Sequence, residues 1–393
     1  MPRRIPFDGR HHDPLIDAVR GWMSIGGGQE STSGAGDASA TALHSAVEEH
    51  LRQMSEGVPG EAARSAGGIE AAASRVIGDA RRALERTAAG ESPNNLSDRE
   101  RASLEAIVRV TGRPALRFLA GGLEFPAEDF GANQKWALIV GQMFDDIEGV
   151  AGSVGRVSIG SPSAASSQLG TAWRLGDDLV VTNRHVAREM AADGTALAST
   201  WTLRTDASYF VDFAVTHAGR PPKAFAITEI AFCAEDENVD AAVLRLSMQG
   251  SGLPPALGID LDRTKLVEPV VRSDGTRFER GKDVYVIGHP FRSTASSVSW
   301  MVFGDADGKK RWSPGEITDI DAPSALCVHD CSTLGGSSGS CIVSLASHAV
   351  VGMHFGGKNV DEITGRGDAN LGLGFALLED NRFRRILMAG QVV

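Results

Sequence analysis

Cysteine is scarce, with four residues in a chain of 393, too few for a disulfide scaffold. Positive charge is also in deficit. Lys plus Arg number 39 against 50 Asp plus Glu, a net charge of −11 with a pI near 5.4. A phosphate-binding surface cannot dominate such a molecule, so nucleic acid is not expected as a partner. No stretch approaches the ~18 uninterrupted apolar residues of a membrane span. The charged start, Met1 to Asp13, is not followed by the apolar core of a secretory signal. A cytoplasmic protein with reduced thiols and no membrane contact is therefore expected. Apolar residues at 42% and charged residues at 23% fit a folded globular chain. The length suggests two or three domains. Glycine is in excess, 46 residues, which favours a turn-rich β fold over a helical bundle.

Texture divides the chain. Residues 1–40 read as a polar lead and a flexible linker, the latter Gly/Ser/Thr/Ala-rich from Gly26 to Ala40. Residues 41–112 follow a helical period. Leu43, Val47, Leu51 and Met54 share one face, and Ile69, Ala73, Val76, Ala80 and Leu84 share another. Ser97 and Glu100 form a capping box before a helix carrying Leu104, Ile107 and Val108. These faces are thin and rich in Ala, so they are expected to pack on something else. Residues 113–152 read as a connecting segment. From about residue 153 short β-branched runs recur between Gly, Pro, Asn and Asp. They include Val154 to Ile159, Asp178 to Thr182, Tyr209 to Val215, Ala241 to Leu246, Asp283 to Ile287, Ile342 to Leu345 and Ala349 to Met353. Such spacing predicts a sandwich or barrel, and the length holds two six-stranded barrels.

Three stretches carry chemistry. An apolar strand ends in Thr182-Asn183-Arg184-His185. Asp240 stands at the mouth of the apolar run Ala241 to Leu246. Ser338 lies in the turn Gly335-Gly336-Ser337-Ser338-Gly339-Ser340. A serine hydroxyl is inert near pH 7 without an adjacent base. Histidine is the usual base, because it titrates near neutrality. A buried Asp fixes its tautomer and stabilises the imidazolium. Glycines let the turn bend sharply, so the amides of Gly336 and Ser338 can converge on an oxyanion.

The stretch from 153 to about 385 resembles the trypsin-like serine proteases, in their bacterial HtrA-like and glutamyl-endopeptidase-like branch. The resemblance rests on five motifs in the family's order. They are Gly170-Thr171-Ala172-Trp173, Thr182 to Val186, Val239 to Leu244, Val286-Ile287-Gly288-His289-Pro290, and Gly336 to Ser340. It implies a mostly β, chymotrypsin-like fold of two six-stranded antiparallel barrels, here preceded by a helical region. The first barrel would span about 153–265 and the second about 270–385. His185, Asp240 and Ser338 would be the catalytic residues of a serine endopeptidase acting on protein or peptide, with Gly336 and Ser338 forming the oxyanion hole. Neither metal nor cofactor is implied.

Ser332 and Thr333 would line one wall of the specificity pocket, and the strand with His354 and Gly356 the other. No carboxylate occupies the floor position, which disfavours Arg or Lys. Thr333 and His354 match residues that hold an acidic side chain in glutamyl endopeptidases. Alternatively, His354 is a neutral filler below a pocket for small or apolar side chains. Ser337 stands where digestive trypsins carry Asp, so no new N-terminus could be captured. Ile139-Val140-Gly141 is then not a zymogen cleavage site.

His11-His12-Asp13 reads as a solvated tail, and His329-Asp330-Cys331 as a structural strand. Cys331 and Cys341 are placed to approach across the turn, although reduced thiols are expected. Residues 41–112 are a candidate regulatory segment that docks a protein partner or covers the cleft. By analogy, such layouts belong to bacterial stress or defence pathways. The rival reading is a catalytically silent peptide-binding or scaffolding module on the same fold.

Overall fold

A computed structural model describes residues 66–88, 97, 100, 103, 114–119, 122–124, 131–161, 167–214, 223–236, 238–248, 252–271, 277–291, 308–358, 369–379 and 381–390. Outside them fall the linker Gly26 to Ala40, His11 to Asp13, the face with Leu43 to Met54, and the helical positions Leu104, Ile107 and Val108.

The β-branched runs form the first barrel. Its strands are β1 (Leu116–Leu119) and β2 (Gly122–Leu123) excepted, those from β3 to β8: β3 (Val154–Ile159), β4 (Ser167–Gly176), β5 (Leu179–Thr182), β6 (Tyr209–Asp212), β7 (Ala224–Cys233) and β8 (Ala242–Leu246). They close in the order β3-β4-β5-β8-β7-β6. Closure pairs Arg156 with Asp212 and Ile159 with Tyr209, so no edge is left to pair with another chain. Val157, Val180, Val211, Phe213, Phe225 and Leu244 fill the interior.

The hairpin β9 (Val267–Val271) and β10 (Arg277–Gly281) precedes the second barrel. That barrel is built from β11 (Asp283–Gly288), β12 (Arg311–Asp321), β13 (Leu326–His329), β14 (Cys341–Ser344), β15 (Val350–Lys358) and β16 (Ala369–Gly374). The order is β11-β14-β15-β16-β13-β12, and β12 returns to β11 to close it. Mostly β with two closed six-stranded antiparallel barrels is therefore the architecture. Several strands escaped the reading of short apolar runs. β12 carries Pro314 and Gly315 inside it, and β4 mixes Gln168, Gly170 and Arg174 among its apolar residues.

The segment expected as a connector belongs to the second barrel. β1 pairs with β12, Leu116 opposite Trp312. Next comes a long helix, Gly131–Gly152. Its Trp136 meets Trp312 edge to face at 6.0 Å. Ile147, Val150 and Ala151 join the same core. Four glycines in this helix, Gly131, Gly141, Gly149 and Gly152, weaken its helical signature, and Met143 kinks it at φ −126°. Ile139-Val140-Gly141 lies inside it with Val140 buried.

Before the barrels, Ala66–Ala88 is helical, and Ala73, Val76 and Ala80 are buried together with Ala83. The capping box forms as its residue types require. Ser97 N–H donates to Glu100 Oε2 at 2.9 Å, and Glu100 N–H returns to Ser97 Oγ at 3.3 Å. We number the helices α1 (Ala66–Ala88), α2 (Gly131–Gly152), α3 (Arg184–Arg188) and α4 (Arg382–Ala389). Helix α4 starts at Asn381, whose Oδ1 accepts the Arg384 amide at 2.8 Å. It straps the barrels together: Phe383 stacks on Phe232 of the first and packs edge-on against Phe375 of the second segment.

Candidate active site

β5 ends at Thr182, and Asn183 turns the chain into α3, which presents His185. Asp240 stands just before β8, beside β5 in the barrel. Register thus brings the two together. Asp240 Oδ2 lies 2.7 Å from His185 Nδ1, and Oδ1 accepts the His185 amide at 3.0 Å. An ionised carboxylate only accepts, so Nδ1 carries the proton and Nε2 presents a lone pair. Asn183 Nδ2 donates to the Asp240 carbonyl at 2.9 Å and adds a second brace. Sequence reasoning missed that role, although Asn183 stands inside the recognised motif.

Ser338 reaches the same face from the second barrel. Its carbonyl accepts the Thr171 amide of β4 at 2.8 Å. A Cβ on Gly170 would lie 3.0 Å from Ser338 O and 2.8 Å from Val186 Cγ2. Gly170 therefore fits between the Ser338 turn and Val186, the neighbour of His185, where no side chain has room. His354 brackets the pair from below. Its carbonyl accepts the Gly339 amide at 3.0 Å, and it feels the charge of His185. Among the described residues no hydrogen bond joins Ser338 Oγ to the His185 ring. Such bonds commonly tighten only once substrate is bound.

The turn is fixed plane by plane. Gly335 O accepts the Phe291 amide at 2.6 Å, and Ser337 O accepts the Ser340 amide at 2.9 Å. Across a trans peptide the N–H points opposite the C=O, so the Gly336 and Ser338 amides face away from these partners. Gly336 and Gly339 take φ of 83° and 87°. A Cβ on Gly339 would lie 2.0 Å from Thr171 O, so both positions require glycine.

The predicted pocket residues divide. Thr333 Oγ1 donates to Asn370 Oδ1 at 2.6 Å, and Asn370 Nδ2 donates to Cys331 O at 2.8 Å. Asn370 on β16 was not foreseen, since no motif marks it. Ser332 is half-buried, and Gly356 follows a register shift in β15 with open space at its Cβ position. His354 is buried, its Nδ1 3.2 Å from His329 Nε2. Burial, aided by the charge of His185, lowers the His354 imidazole to about 3. Burial and the neighbouring His354 likewise hold His329 well below the ordinary histidine range. Both rings are neutral at physiological pH. Cys331 and Cys341 are both buried and no disulfide joins them, and Asp330 serves the backbone by accepting the Glu316 amide at 2.7 Å.

The chain is similar to known proteins. Residues 170–353 match the family model described as "Trypsin-like peptidase domain". A "Probable serine protease" of Lysobacter enzymogenes is 27% identical over 307 residues, covering 70% of this chain and 73% of that protein. Among solved structures, the Rv3671c protease of M. tuberculosis in its active form is 20% identical, with a TM-score of 0.34, over 58% of this chain and 78% of that one. Protease Anisep of Arthrobacter nicotinovorans is 12% identical, with a TM-score of 0.38, over 56% and 89%. These similarities support a serine endopeptidase.

Proposed function

We propose that the protein cleaves peptide bonds through Ser338, His185 and Asp240, by way of an acyl-enzyme. Ser338 Oγ attacks the carbonyl carbon while His185 Nε2 takes its proton. The carbonyl oxygen becomes the oxyanion held by the Gly336 and Ser338 amides. The C–N bond then breaks, and the imidazolium returns the proton to the leaving amine. Water repeats the cycle in reverse to free the acid and Ser338. Asp240 keeps Nδ1 protonated throughout. The observation that carries this reading is the 2.7 Å contact between His185 Nδ1 and Asp240, which fixes the tautomer a base requires.

A small or apolar side chain is the favoured pocket occupant. Neutral His354 supports this, because it supplies no cation for a carboxylate without first gaining a proton. The HtrA-like branch, a cytoplasmic setting and regulation by a partner on residues 41–112 complete the proposal. The low cysteine count, four in 393 residues, supports the reducing compartment. A stress or defence pathway rests on analogy with similar layouts.

A fluorophosphonate probe and a peptide library test the reading. The wild-type chain should be labelled and should hydrolyse peptides. Ser338→Ala should lose labelling, and both Ser338→Ala and His185→Ala should lose roughly 10⁴-fold or more in kcat. An unlabelled, inactive but folded wild-type chain would instead favour the silent binding module.

A further inference from the structure

We infer that Thr171 is a positioning residue which sets the oxyanion site from the opposite barrel, with Gln168 as its second support. This rests on the peptidase reading above. Every polar group of Thr171 is committed at the seam between the barrels. Its amide donates to Ser338 O at 2.8 Å. Its carbonyl accepts the Thr182 hydroxyl at 2.7 Å. Its Oγ1 accepts the His289 amide at 3.1 Å and lies 2.8 Å from Gly336 O. A hydroxyl has a single proton to give. Since the His289 amide is itself a donor, that proton goes to Gly336 O, and the chain His289 N–H to Thr171 O–H to Gly336 O has one direction.

That direction matters because of what Gly336 does. Its carbonyl shares a peptide plane with the Ser337 amide, which donates to Leu334 O at 2.9 Å. The neighbouring planes of the turn are held by backbone partners, namely Phe291, Ser340, His354 and the Thr171 amide. The Gly336 carbonyl is held by side chains. Thr171 supplies the short bond, and Gln168 Nε2 adds a longer one at 3.4 Å while also donating to His289 O at 2.5 Å. Gly336 has no Cβ and a φ of 83°, so no side chain of its own restricts its rotation. The Gly336 carbonyl and the Gly336 amide lie in adjacent peptide planes joined at the Gly336 Cα, so anchoring the carbonyl limits how far the amide's plane can turn from the place where negative charge develops. Thr171 is fully buried on β4, and its hydroxyl is thus the shortest side-chain peg on that rotation, beside Gln168 and the Ser337 amide's bond to Leu334 O.

The test compares Thr171→Val, nearly isosteric but without the hydroxyl, with Thr171→Ser, which keeps it. Thr171→Val should lower kcat by about 10-fold or more, because oxyanion donors act only when placed. KM should change little, and affinity for a peptide boronate should fall in step with kcat/KM. Thr171→Ser should restore most of both. A Thr171→Val enzyme with wild-type kcat and boronate affinity overturns the inference. If Thr171→Val does not fold, the half-exposed Gln168→Met takes its place. A smaller loss in kcat at constant KM is then expected, and no loss overturns the inference. A wild-type chain inert to peptides and to the fluorophosphonate would sink the peptidase reading instead. Crystal structures of wild type and Thr171→Val then decide the positioning role separately. A rotated Gly336 carbonyl supports it, and an unmoved one refutes it.

Discussion

Asp240 illustrates how much one carboxylate does here. Its two oxygens hold the ring and the backbone of His185. Replacing it with Asn leaves the shape but offers an N–H where an acceptor is needed. The imidazole would then expose an N–H to Ser338 in place of a lone pair. Asp240→Asn should therefore lower kcat by about 10⁴-fold near neutral pH with the fold intact, measurable by peptide turnover alongside thermal unfolding. A variant within tenfold of wild type would show that Asp240 does not set the tautomer. The three residues proposed for the chemistry could be singled out in the sequence because their motifs are local: a histidine after a strand, an acid before one, a serine between glycines. Asn183, Asn370 and Thr171 were not, because their roles arise from pairings across 57, 39 and 165 positions of chain. His354 shows a third case. Its strand was readable, whereas its neutrality depends on burial against His329, which only packing reveals.

Among the elements, α2 departs most from expectation. Its glycines hide it as a sequence pattern, yet Trp136 and Ile147 are fully enclosed in the core of the second barrel. Tertiary packing, not propensity, holds it. Trp136→Ala would leave a large cavity against Trp312 and should cost about 3–5 kcal/mol, read as a shift in the urea midpoint. A chain beginning at residue 153 would lose α2 and β1 together and expose the same surface. It should aggregate or melt well below a chain beginning at Ala115, which keeps both. Equal melting points for the two would show that α2 is dispensable. The barrel strands were readable where β-branched residues run together, as in β3, β5, β8 and β11. They were not where Pro, Gly and charge interrupt a strand that is nonetheless held on both sides, as in β12.

The molecule as a whole encloses histidines that stay neutral. Burial depresses His289 and His329 well below the ordinary range, and brings His354 to about 3. For His289 the nearby cations Lys310, Arg156 and Arg311 add to that effect, against a weaker opposing bond to Gly308 O. In the unfolded chain each would titrate near 6.5. As pH falls below about 6.5, the unfolded state takes up protons that the folded state refuses, so folding stability declines. It is fully present above 6.5 and is lost progressively downward, in the case of His354 until about pH 3. Each such histidine contributes a limiting slope of about 1.4 kcal/mol per pH unit, and the three together about 4. Carboxylates interfere little between pH 6.5 and 5, because their ordinary range lies lower. Glu100, held at about 2 by Ser97 and Arg86 despite opposing burial, acts lower still, since its unfolded pKa is near 4.5. Lys310 acts in the other direction of the scale. Burial outweighs the pull of Asp212 and lowers it from 10.5 to about 7, so its contribution to stability falls between pH 10.5 and 7 and is level below. Urea midpoints measured from pH 7 to 5 should drop steeply, and His329→Asn should flatten the slope by about a third. A midpoint unchanged across that window would mean the buried rings are charged in the folded protein, and with that the neutral pocket floor inferred for His354 would fall as well.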